Sequence, residues 1–315
     1  MNFLISGGAG FIGSYLCDKF ISEGHTILCI DNLLSGKMKN IKHLLKKSNF
    51  YFLEKDIIEQ IDINYFFDKL DYIFHFASLA SLPYITKYPI HTELTNSIGT
   101  YNLLKLAVRY KSKFILASTS EIYGDPDIHP QVETYFGNVN TIGPRSVYDE
   151  SKRFAETLTM SYFNNYGIDI KIVRIFNTYG PRMACDGRVV LNFIHQAIND
   201  ENITVYGDGQ QTRSFCYIDD LIDGIYKLAN SDYNNPINIG NPQEITIEKL
   251  ANKIIELTNS KSKIIYKSLP VNDPLKRCPD IYRAKEILQW EPKIDLESGL
   301  NEVIQYEKEN NIYMS

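Results

Sequence analysis

The first thirteen residues, Met1–Gly13, read MNFLISGGAGFIG. A short apolar run leads into a turn that carries the pattern GxGxxG at Gly8, Gly10 and Gly13, with one more glycine at Gly7. Glycine permits a tight turn, a close approach of backbone to phosphate, and a helix packed near its strand. A helix that begins here offers free N–H groups to an anion. The stretch therefore predicts the strand, turn and helix that open a dinucleotide-binding fold; the alternative is a purely structural glycine turn.

The residues that follow predict NAD as the cofactor. Asp31 ends the second apolar run, where a carboxylate accepts hydrogen bonds from ribose hydroxyls and repels a 2′-phosphate. No Lys or Arg follows Asp31 before Lys37, which favours NAD over NADP. The alternative for Asp31 is a turn-capping role. The expected cofactor-binding residues are Gly7, Gly10, Phe11, Ile12, Gly13, Asp31, Asn32, Asp56, Ile57, Ala77, Tyr148 and Lys152.

Apolar runs alternate with helical patterns through the first half of the chain. The runs are Phe3–Ile5, Thr26–Ile30, Tyr51–Leu53, Tyr72–Phe76, Phe114–Ala117 and Ile170–Ile175. Such near-continuous apolar strands are typical of a parallel sheet covered on both faces. We therefore predict an α/β fold, a Rossmann-type doubly wound parallel sheet with a smaller C-terminal α/β substrate lobe.

The composition of the sequence changes after Phe176, where loops rich in Gly, Asn, Pro and Arg begin. We therefore expect a NAD-binding domain at residues 1–176 and a substrate-binding lobe at 177–315. Residues 215–239 are apolar enough to return to the main sheet.

Composition excludes several classes of protein. The 315 residues carry a net charge of −5, which argues against a general binder of nucleic acid or of anionic membranes. No apolar run approaches the roughly 18 residues of a membrane span, and from the residues that precede the first strand we expect no signal peptide. The five cysteines form no CxxC pair and the six histidines no metal-binding spacing. We therefore expect no metal, no disulfide and a reducing, cytoplasmic location.

A YxxxK pair is the candidate catalytic motif, and it occurs five times: Tyr15/Lys19, Tyr51/Lys55, Tyr65/Lys69, Tyr101/Lys105 and Tyr148/Lys152. Only Tyr148 opens a long helical segment, and it pairs with a polar run, Ser118–Glu121, at the carboxyl end of the fifth strand. The Lys152 ammonium and an oxidised nicotinamide would both lower the pKa of the Tyr148 phenol toward working pH. We expect Tyr148 to act as general base on a substrate hydroxyl held by Thr119.

The whole chain resembles the extended short-chain dehydrogenases/reductases, and within them the UDP-glucuronate decarboxylases. The motifs that carry this resemblance are Ala117–Pro126, Gly143–Arg145, Tyr148–Arg153, Arg174–Met183, Asp186–Val190, Val205–Gly209, Thr212–Phe215, Arg277 with Pro279–Asp280, and Trp290–Pro292.

The resemblance implies oxidation of a UDP-sugar at C4, loss of CO2 from the resulting β-keto acid, and return of hydride to C4. It places Ser120 and Glu121 beside C5 and C6 of the sugar, and Arg277 near the carboxylate or as proton donor. Related 4,6-dehydratases carry Asp where this chain has Ser120, and a serine is a poor acid for expelling a hydroxyl. The expected catalytic residues are Thr119, Ser120, Glu121, Tyr148, Lys152 and Arg277.

The second lobe supplies candidates for holding the UDP-sugar. Arg188, Arg213 and Arg277 can grip a pyrophosphate, Tyr206 can stack on uracil, and Asn177 can bond a phosphate or sugar oxygen. The alternative for each is a surface ion pair or a packed aromatic ring. The sequence also departs from the decarboxylase pattern, which has prolines or other residue types at Leu79, Leu82, Ile85, Thr141 and Cys278.

Two other functions stay open from the sequence. A UDP-hexose 4-epimerase would share Thr119, Tyr148 and Lys152, and an NAD-binding protein without turnover would share the glycine turn. Residues 96–110 and 148–166 show apolar residues on more than one face. Because relatives pair two such helices per subunit, we expect a homodimer built on a four-helix bundle.

Overall fold

The computed structural model describes residues 1–268 and 276–311, and a seven-stranded parallel sheet lies at its centre. The strands of this sheet, numbered along the chain, are β1 (Asn2–Ser6), β2 (Thr26–Asp31), β3 (Phe50–Glu54), β4 (Tyr72–His75), β5 (Lys113–Thr119), β6 (Ile170–Ile175) and β11 (Ile237–Ile239). Their order is β3-β2-β1-β4-β5-β6-β11, which confirms the predicted Rossmann-type doubly wound class.

Helices cover both faces of this sheet because its side chains alternate between two apolar layers. Leu4 of β1 packs in one buried cluster with Leu103 and Ala155, whereas Ile5 packs in the other with Phe20 and Ile225. The helices in the first half of the chain are α1 (Phe11–Ser22), α2 (Leu82–Lys87), α3 (Pro89–Leu94), α4 (Thr100–Tyr110) and α5 (Ser146–Tyr166), with a π-helical turn at Thr95–Gly99.

The chain after β6 builds three small sheets and five further helices among the described residues. The strands are β7 (Thr178–Tyr179), β8 (Ile203–Tyr206), β9 (Thr212–Ser214), β10 (Cys216–Tyr217), β12 (Glu244–Thr246), β13 (Ile264–Lys267) and β14 (Lys276–Arg277). The helices are α6 (Val189–Ile198), α7 (Ile218–Ala229), α8 (Ile247–Thr258), α9 (Tyr282–Leu288) and α10 (Leu296–Asn311). The division of the chain at Phe176 stays a prediction.

Two features of this arrangement matter for the site. The strand order reverses between β1 and β4, so the loops after these strands leave a crevice at the carboxyl edge of the sheet. Strand β14 pairs with β9, which brings Arg277 level with Arg213 across that small sheet. Across the described ranges, no helix has both the length and the apolar character needed to cross a membrane.

Candidate active site

A cleft of about 350 Å³ opens at the carboxyl edge of the sheet, over the point where the strand order reverses. Most of the residues predicted from the sequence line it: Gly7, Gly10, Phe11, Ile12, Gly13, Asp31, Asn32, Asp56, Ile57, Ala77, Thr119, Ser120, Glu121, Tyr148, Lys152, Asn177, Arg188 and Arg213. Two predicted residues are not in its lining: Arg277 borders a smaller neighbouring cavity, and Tyr206 borders neither.

The glycine turn has the shape that a dinucleotide phosphate requires. A Cβ on Gly7, whose φ is +72°, would lie 2.6 Å from the Ala77 nitrogen, and a Cβ on Gly13 would lie 2.1 Å from the Gly7 oxygen. Helix α1 can therefore start this close to β1 and β4 only with glycine at both positions. The nearest neighbour of a Cβ on Gly10 would be the Gly7 oxygen at 3.1 Å, so this side of the turn faces the cleft. The cradle fits a pyrophosphate at the start of α1.

Asp31 is buried at the end of β2 and already holds the turn together. Its carboxylate accepts hydrogen bonds from the backbone N–H groups of Ala9, at 3.0 Å, and Leu33, at 2.9 Å. Burial raises the pKa of Asp31, and these backbone donors oppose the shift. Asp31 thus has the turn-supporting role weighed as its alternative, and its carboxylate still lines the cleft. Ribose recognition by Asp31 stays a prediction.

A polar group lies at the far end of the cleft, beyond the glycine turn. The Asn32 side-chain amide donates to Oδ2 of Asp56 at 2.7 Å, and Nε2 of His91 lies 3.3 Å from the same oxygen. His91 also lines the cleft, although sequence reasoning did not select it. It stands in α3, 35 residues after Asp56, and no spacing rule links the two positions.

Tyr148 and Lys152 occupy the same buried face of the first turns of α5. The Lys152 ammonium donates to the Ala117 carbonyl at 2.9 Å and lies 5.8 Å from the centre of the Tyr148 ring. The side chain of Thr119, at the end of β5, hydrogen-bonds the Tyr148 hydroxyl. The helix and the strand end therefore bring Thr119, Tyr148 and Lys152 together, as the sequence predicted for this YxxxK pair alone.

The electrostatics of this group differ from the sequence expectation. Burial raises the pKa of Tyr148 above its usual value, and the Thr119 hydrogen bond only partly opposes it. Burial also lowers the pKa of Lys152 to about 7, against the opposite influence of Glu156. In the chain by itself the raised pKa of Tyr148 is thus opposite to the lowering expected with Lys152 and an oxidised nicotinamide beside it, and that lowering stays a prediction. The positive charge of an oxidised nicotinamide beside Tyr148 would lower the pKa of the phenol and so oppose the effect of burial.

Glu121 is held between two guanidinium groups. Arg277 Nη1 lies 2.5 Å from Oε1, and Arg145 Nη2 lies 2.6 Å from Oε2. Burial alone would raise the pKa of Glu121, but Arg277 and Arg145 outweigh it and lower that pKa to about 2. Arg277 also approaches the Ser120 hydroxyl at 3.4 Å and donates to the Gly124 carbonyl at 2.9 Å. Arg277, distant in sequence, thus contacts the residues that follow β5.

The residues predicted for the substrate divide into two groups. Asn177, Arg188 and Arg213 border the cleft, and Arg188 forms a two-pronged ion pair with Asp186 at 2.9 and 2.7 Å. Tyr206 instead ends β8 with 45% of its surface exposed, outside the cleft lining. Among the described strands, β8 pairs only with β13, in a small sheet separate from the central one.

Three of the residues that depart from the decarboxylase pattern, Leu79, Leu82 and Ile85, lie in the segment after β4. Leu79 lines the cleft, as do Ser81 and Tyr84, whereas Leu82 is 44% exposed and Ile85 is buried outside the lining. Further lining residues were not among the predicted site residues: Lys55, Thr95, Ser118, Phe176, Thr178, Met183 and Asp186. Lys55 and Phe176 directly follow the ends of β3 and β6, which is the signal that would have found them.

Within the described ranges, one group of potential metal ligands lies close together. Atoms of His129, Glu244 and Cys278 lie within 4.8 Å of one another, outside the cleft lining. His129 and Glu244 are already paired at 2.9 Å. The expectation that the chain holds no metal stays a prediction.

Comparisons with known proteins agree with this geometry. The family model for GDP-mannose 4,6 dehydratase matches residues 4–303. The chain is 48% identical to UDP-glucuronic acid decarboxylase 1 of Xenopus tropicalis over 304 residues, covering 96% of this chain and 71% of that protein. It is 50% identical to UDP-glucuronic acid decarboxylase 5 of Arabidopsis thaliana over 303 residues, covering 95% and 87%.

Solved structures of epimerases superpose over nearly the whole chain. UDP-glucose 4-epimerase of Thermotoga maritima, solved with UDP-glucose, has a TM-score of 0.91 at 31% identity, covering 99% of this chain and 100% of that one. UDP-glucuronic acid 4-epimerase of Bacillus cereus, solved with UDP-glucuronic acid and NAD, has a TM-score of 0.89 at 29% identity, covering 98% and 100%. The chain therefore belongs to the GDP-mannose 4,6-dehydratase-type family of extended short-chain dehydrogenases/reductases.

Proposed function

We propose that this protein converts UDP-glucuronate into UDP-xylose and CO2 with NAD as a recycled cofactor. The observation that carries the proposal is the contact of Arg277 with Ser120 and Glu121, next to the Thr119–Tyr148–Lys152 group. In the proposed complex, the Arg277 guanidinium and the Ser120 hydroxyl lie beside the sugar, next to Thr119, Tyr148 and Lys152. Ser120 stands where the related dehydratases have a carboxylic acid. The decarboxylase relatives, similar over nearly the whole chain, support the same reaction.

The first step belongs to Thr119, Tyr148 and Lys152. When bound, NAD+ accepts a hydride from C4 of the sugar and later returns it to the same carbon. Tyr148 takes the C4 hydroxyl proton, Thr119 holds that hydroxyl in line, and Lys152 orients the phenol. The glycine turn and Asp31 would hold the cofactor so that its ring reaches these side chains.

The second step uses the carboxylate group of the substrate. With a ketone at C4, the C5–C6 bond breaks, CO2 leaves, and the electron pair moves into an enolate at C4 and C5. The charges of Arg145, Glu121 and Arg277 sum to +1, which suits a site that receives a carboxylate. Ser120 is only 3% exposed and offers a hydroxyl at the same place. Asn177, Arg188 and Arg213, which border the cleft, would hold the UDP portion.

A UDP-glucuronate 4-epimerase is the second candidate, favoured by the close superposition on the Bacillus cereus enzyme. An epimerase shares the C4 oxidation but must keep CO2 on the sugar. The two functions are separated by incubating the purified protein with UDP-glucuronate and NAD+ and measuring CO2 and the nucleotide sugars. Stoichiometric CO2 and UDP-xylose support the proposal, whereas epimerised UDP-glucuronate without CO2 would replace it.

We also propose a homodimer in the cytoplasm. Ile98 is 41% exposed, Tyr101 of α4 45%, and Phe154 of α5 51%, although all three are apolar or aromatic. Pairing these helices with those of a second subunit would cover this surface in a four-helix bundle. All five cysteines lie in the described part of the chain and none is disulfide-bonded, which suits a reducing compartment.

A further inference from the structure

Decarboxylation creates a demand for protons that the residues assigned so far do not meet. Each turnover exchanges a carboxylate for a C–H bond, so one proton must reach C5 for each CO2 released. The proton that Tyr148 takes from the C4 hydroxyl is committed, because it must return to the C4 oxygen when the ketone is reduced. A separate donor is therefore required, and this inference rests on the proposed function.

The residues beside the expected position of C5 are poor acids. Glu121 keeps a pKa of about 2 between Arg277 and Arg145, so it is ionised at neutral pH. A guanidinium such as that of Arg277 does not give up a proton at working pH. The donor must be a group near these three side chains that is protonated close to neutrality.

A second cavity of about 200 Å³ is bordered by all three members of this ion-paired group. Glu121 borders both this cavity and the main cleft, so the two spaces share a wall. The full lining is Glu121, Gly124, Asp125, Asn138, Val139, Asn140, Gly143, Arg145, Asp149 and Arg277. The volume is large enough for several water molecules.

Two buried polar atoms in this lining lack a hydrogen-bond partner among the described residues. They are Oδ1 of Asp149, whose residue is 6% exposed, and Nε of Arg277, whose residue is 2% exposed. One is an acceptor and the other a donor, and both residues border the same space. Buried polar groups without a protein partner are normally satisfied by ordered water, so these two residues favour water in the space that they border.

Asp149 has the protonation behaviour that the reaction needs. Burial raises its pKa to about 7, and the neighbouring charges of Glu121 and Glu150 act in the same direction. Arg145 and Arg277 also face the carboxyl group and oppose the shift. Its acid form is therefore present near neutral pH, and the group can be recharged after it gives up a proton.

We propose that Asp149 supplies, through water in this cavity, the proton that C5 of the sugar receives after CO2 has left. The proton passes from the Asp149 carboxyl group to water and from water to C5, where the enolate electron pair forms the new C–H bond. The Asp149 carboxylate then regains a proton from solvent. Asp149 follows Tyr148 in the chain, so α5 presents the base for C4 and the proton source for C5 in adjacent positions.

The test separates the two halves of the reaction in a single turnover. CO2 release from UDP-glucuronate labelled at C6, and formation of UDP-xylose, would be followed for the wild type, Asp149→Asn and the control Glu150→Gln. We expect Asp149→Asn to release CO2 within about 3-fold of the wild-type rate but to form UDP-xylose about 100-fold more slowly, the lower end of what a general acid contributes. Reduced cofactor, seen by its absorbance, would accumulate. Glu150→Gln removes a charge that raises the pKa of Asp149 but keeps the acid itself, so it should slow UDP-xylose formation far less than Asp149→Asn does.

The pH profile provides a readout that a purely structural role would not change. UDP-xylose formation by the wild type should fall as pH rises through about 7, because the acid form of Asp149 is lost. The rate of Asp149→Asn should not show this fall with rising pH, and the rate of Asp149→Glu should show part of it. If Asp149→Asn does not fold, Asp149→Ser serves as the neutral variant.

Two results would overturn the proposal. One is equal slowing of CO2 release and UDP-xylose formation in the neutral variant. The other is a neutral variant that keeps the wild-type rate and pH profile. Absence of CO2 from the wild type would instead refute the decarboxylase function, and the role of Asp149 with it.

Discussion

Nη1 of Arg277 lies 2.5 Å from Oε1 of Glu121, and Nη2 of the same guanidinium donates to the Gly124 carbonyl at 2.9 Å. Arg277 is only 2% exposed, so water screens its charge weakly and its interaction with Glu121 is stronger than at the surface. The short strand β14 thus fixes a cation against the segment that follows β5, the strand that ends in Thr119. This contact connects the C-terminal part of the chain to the proposed chemistry.

Replacing Arg277 by lysine tests whether turnover requires a guanidinium that contacts Glu121 and Gly124 through two different nitrogens. A single ammonium cannot reach Glu121, Ser120 and Gly124 at once, although it keeps the charge. We expect turnover of UDP-glucuronate to fall about 10- to 100-fold while NAD affinity stays within about 2-fold, since each charge-assisted hydrogen bond contributes about 1.5–3 kcal/mol. Steady-state kinetics and cofactor titration measure both. Arg109→Lys, on the outer side of α4, is the matched control, and wild-type turnover in Arg277→Lys would contradict the assignment.

Tyr148→Phe removes the proposed base and leaves the ring in place. We expect turnover to fall at least about 1,000-fold, because the C4 hydroxyl proton then has no acceptor, with little change in NAD affinity. Tyr65→Phe is the control, since Tyr65 belongs to another YxxxK match but is 92% exposed. Loss of cofactor binding in parallel with turnover would show that Tyr148 is structural.

Lys152→Met tests the burial of the lysine through stability instead of activity. Burial lowers the pKa of Lys152 from 10.5 to about 7, so between these values the unfolded chain binds a proton that the folded chain does not. The unfolding free energy of the wild type therefore rises with pH across this window. Relative to the wild type, we expect Lys152→Met to be more stable by about 2–4 kcal/mol at pH 7 and by less than about 1 kcal/mol at pH 10.

Urea denaturation of the cofactor-free protein at both pH values measures this difference. The exposed Lys105, changed to Met, provides the control, and its effect on stability should be the same at pH 7 and pH 10. A Lys152→Met effect that does not depend on pH would show that the buried lysine keeps its proton.

The sequence predicted the sheet and the position of the cleft well because both follow from local patterns. Continuous apolar runs such as Ile170–Ile175 can be buried only in the middle of a two-sided sheet, and the glycine turn determines where the first helix starts. The candidate catalytic pair was separable from the four other YxxxK matches by its helix start and by the polar end of β5. Each of these patterns spans only a few consecutive residues.

The parts that sequence reasoning missed depend on long-range contacts and on burial. The contact of Arg145 with Glu121 and the cavity bordered by Asp149 exist only once α5 packs against β5. Burial raises the pKa of Tyr148 in the chain by itself, and this burial was not visible from the spacing of Tyr148 and Lys152. Tyr206 was expected near the ligand from its motif, yet it does not line the cleft.

Gly10 and Gly13 should respond differently to alanine, because a Cβ at each meets different surroundings. At Gly13 the Cβ would lie 2.1 Å from the Gly7 oxygen, so we expect Gly13→Ala to unfold or to lose several degrees in Tm. At Gly10 the closest contact is 3.1 Å and the methyl group faces the cleft, so Gly10→Ala should fold and bind NAD at least about 10-fold more weakly. Thermal denaturation and NAD titration distinguish these outcomes, and equal NAD affinity in Gly10→Ala would contradict the phosphate cradle.

Phe154→Glu tests the proposed dimer surface on α5. Phe154 is 51% exposed, and burying a charged side chain in an apolar bundle costs several kcal/mol unless it is paired. We therefore expect the wild type to be a dimer at micromolar concentration and Phe154→Glu to be a monomer with the same secondary structure. Tyr282→Glu is the control, because Tyr282 is 68% exposed but lies on α9, away from α4 and α5. Light scattering coupled to size-exclusion chromatography gives the mass directly, and a monomeric wild type would rule out the four-helix bundle.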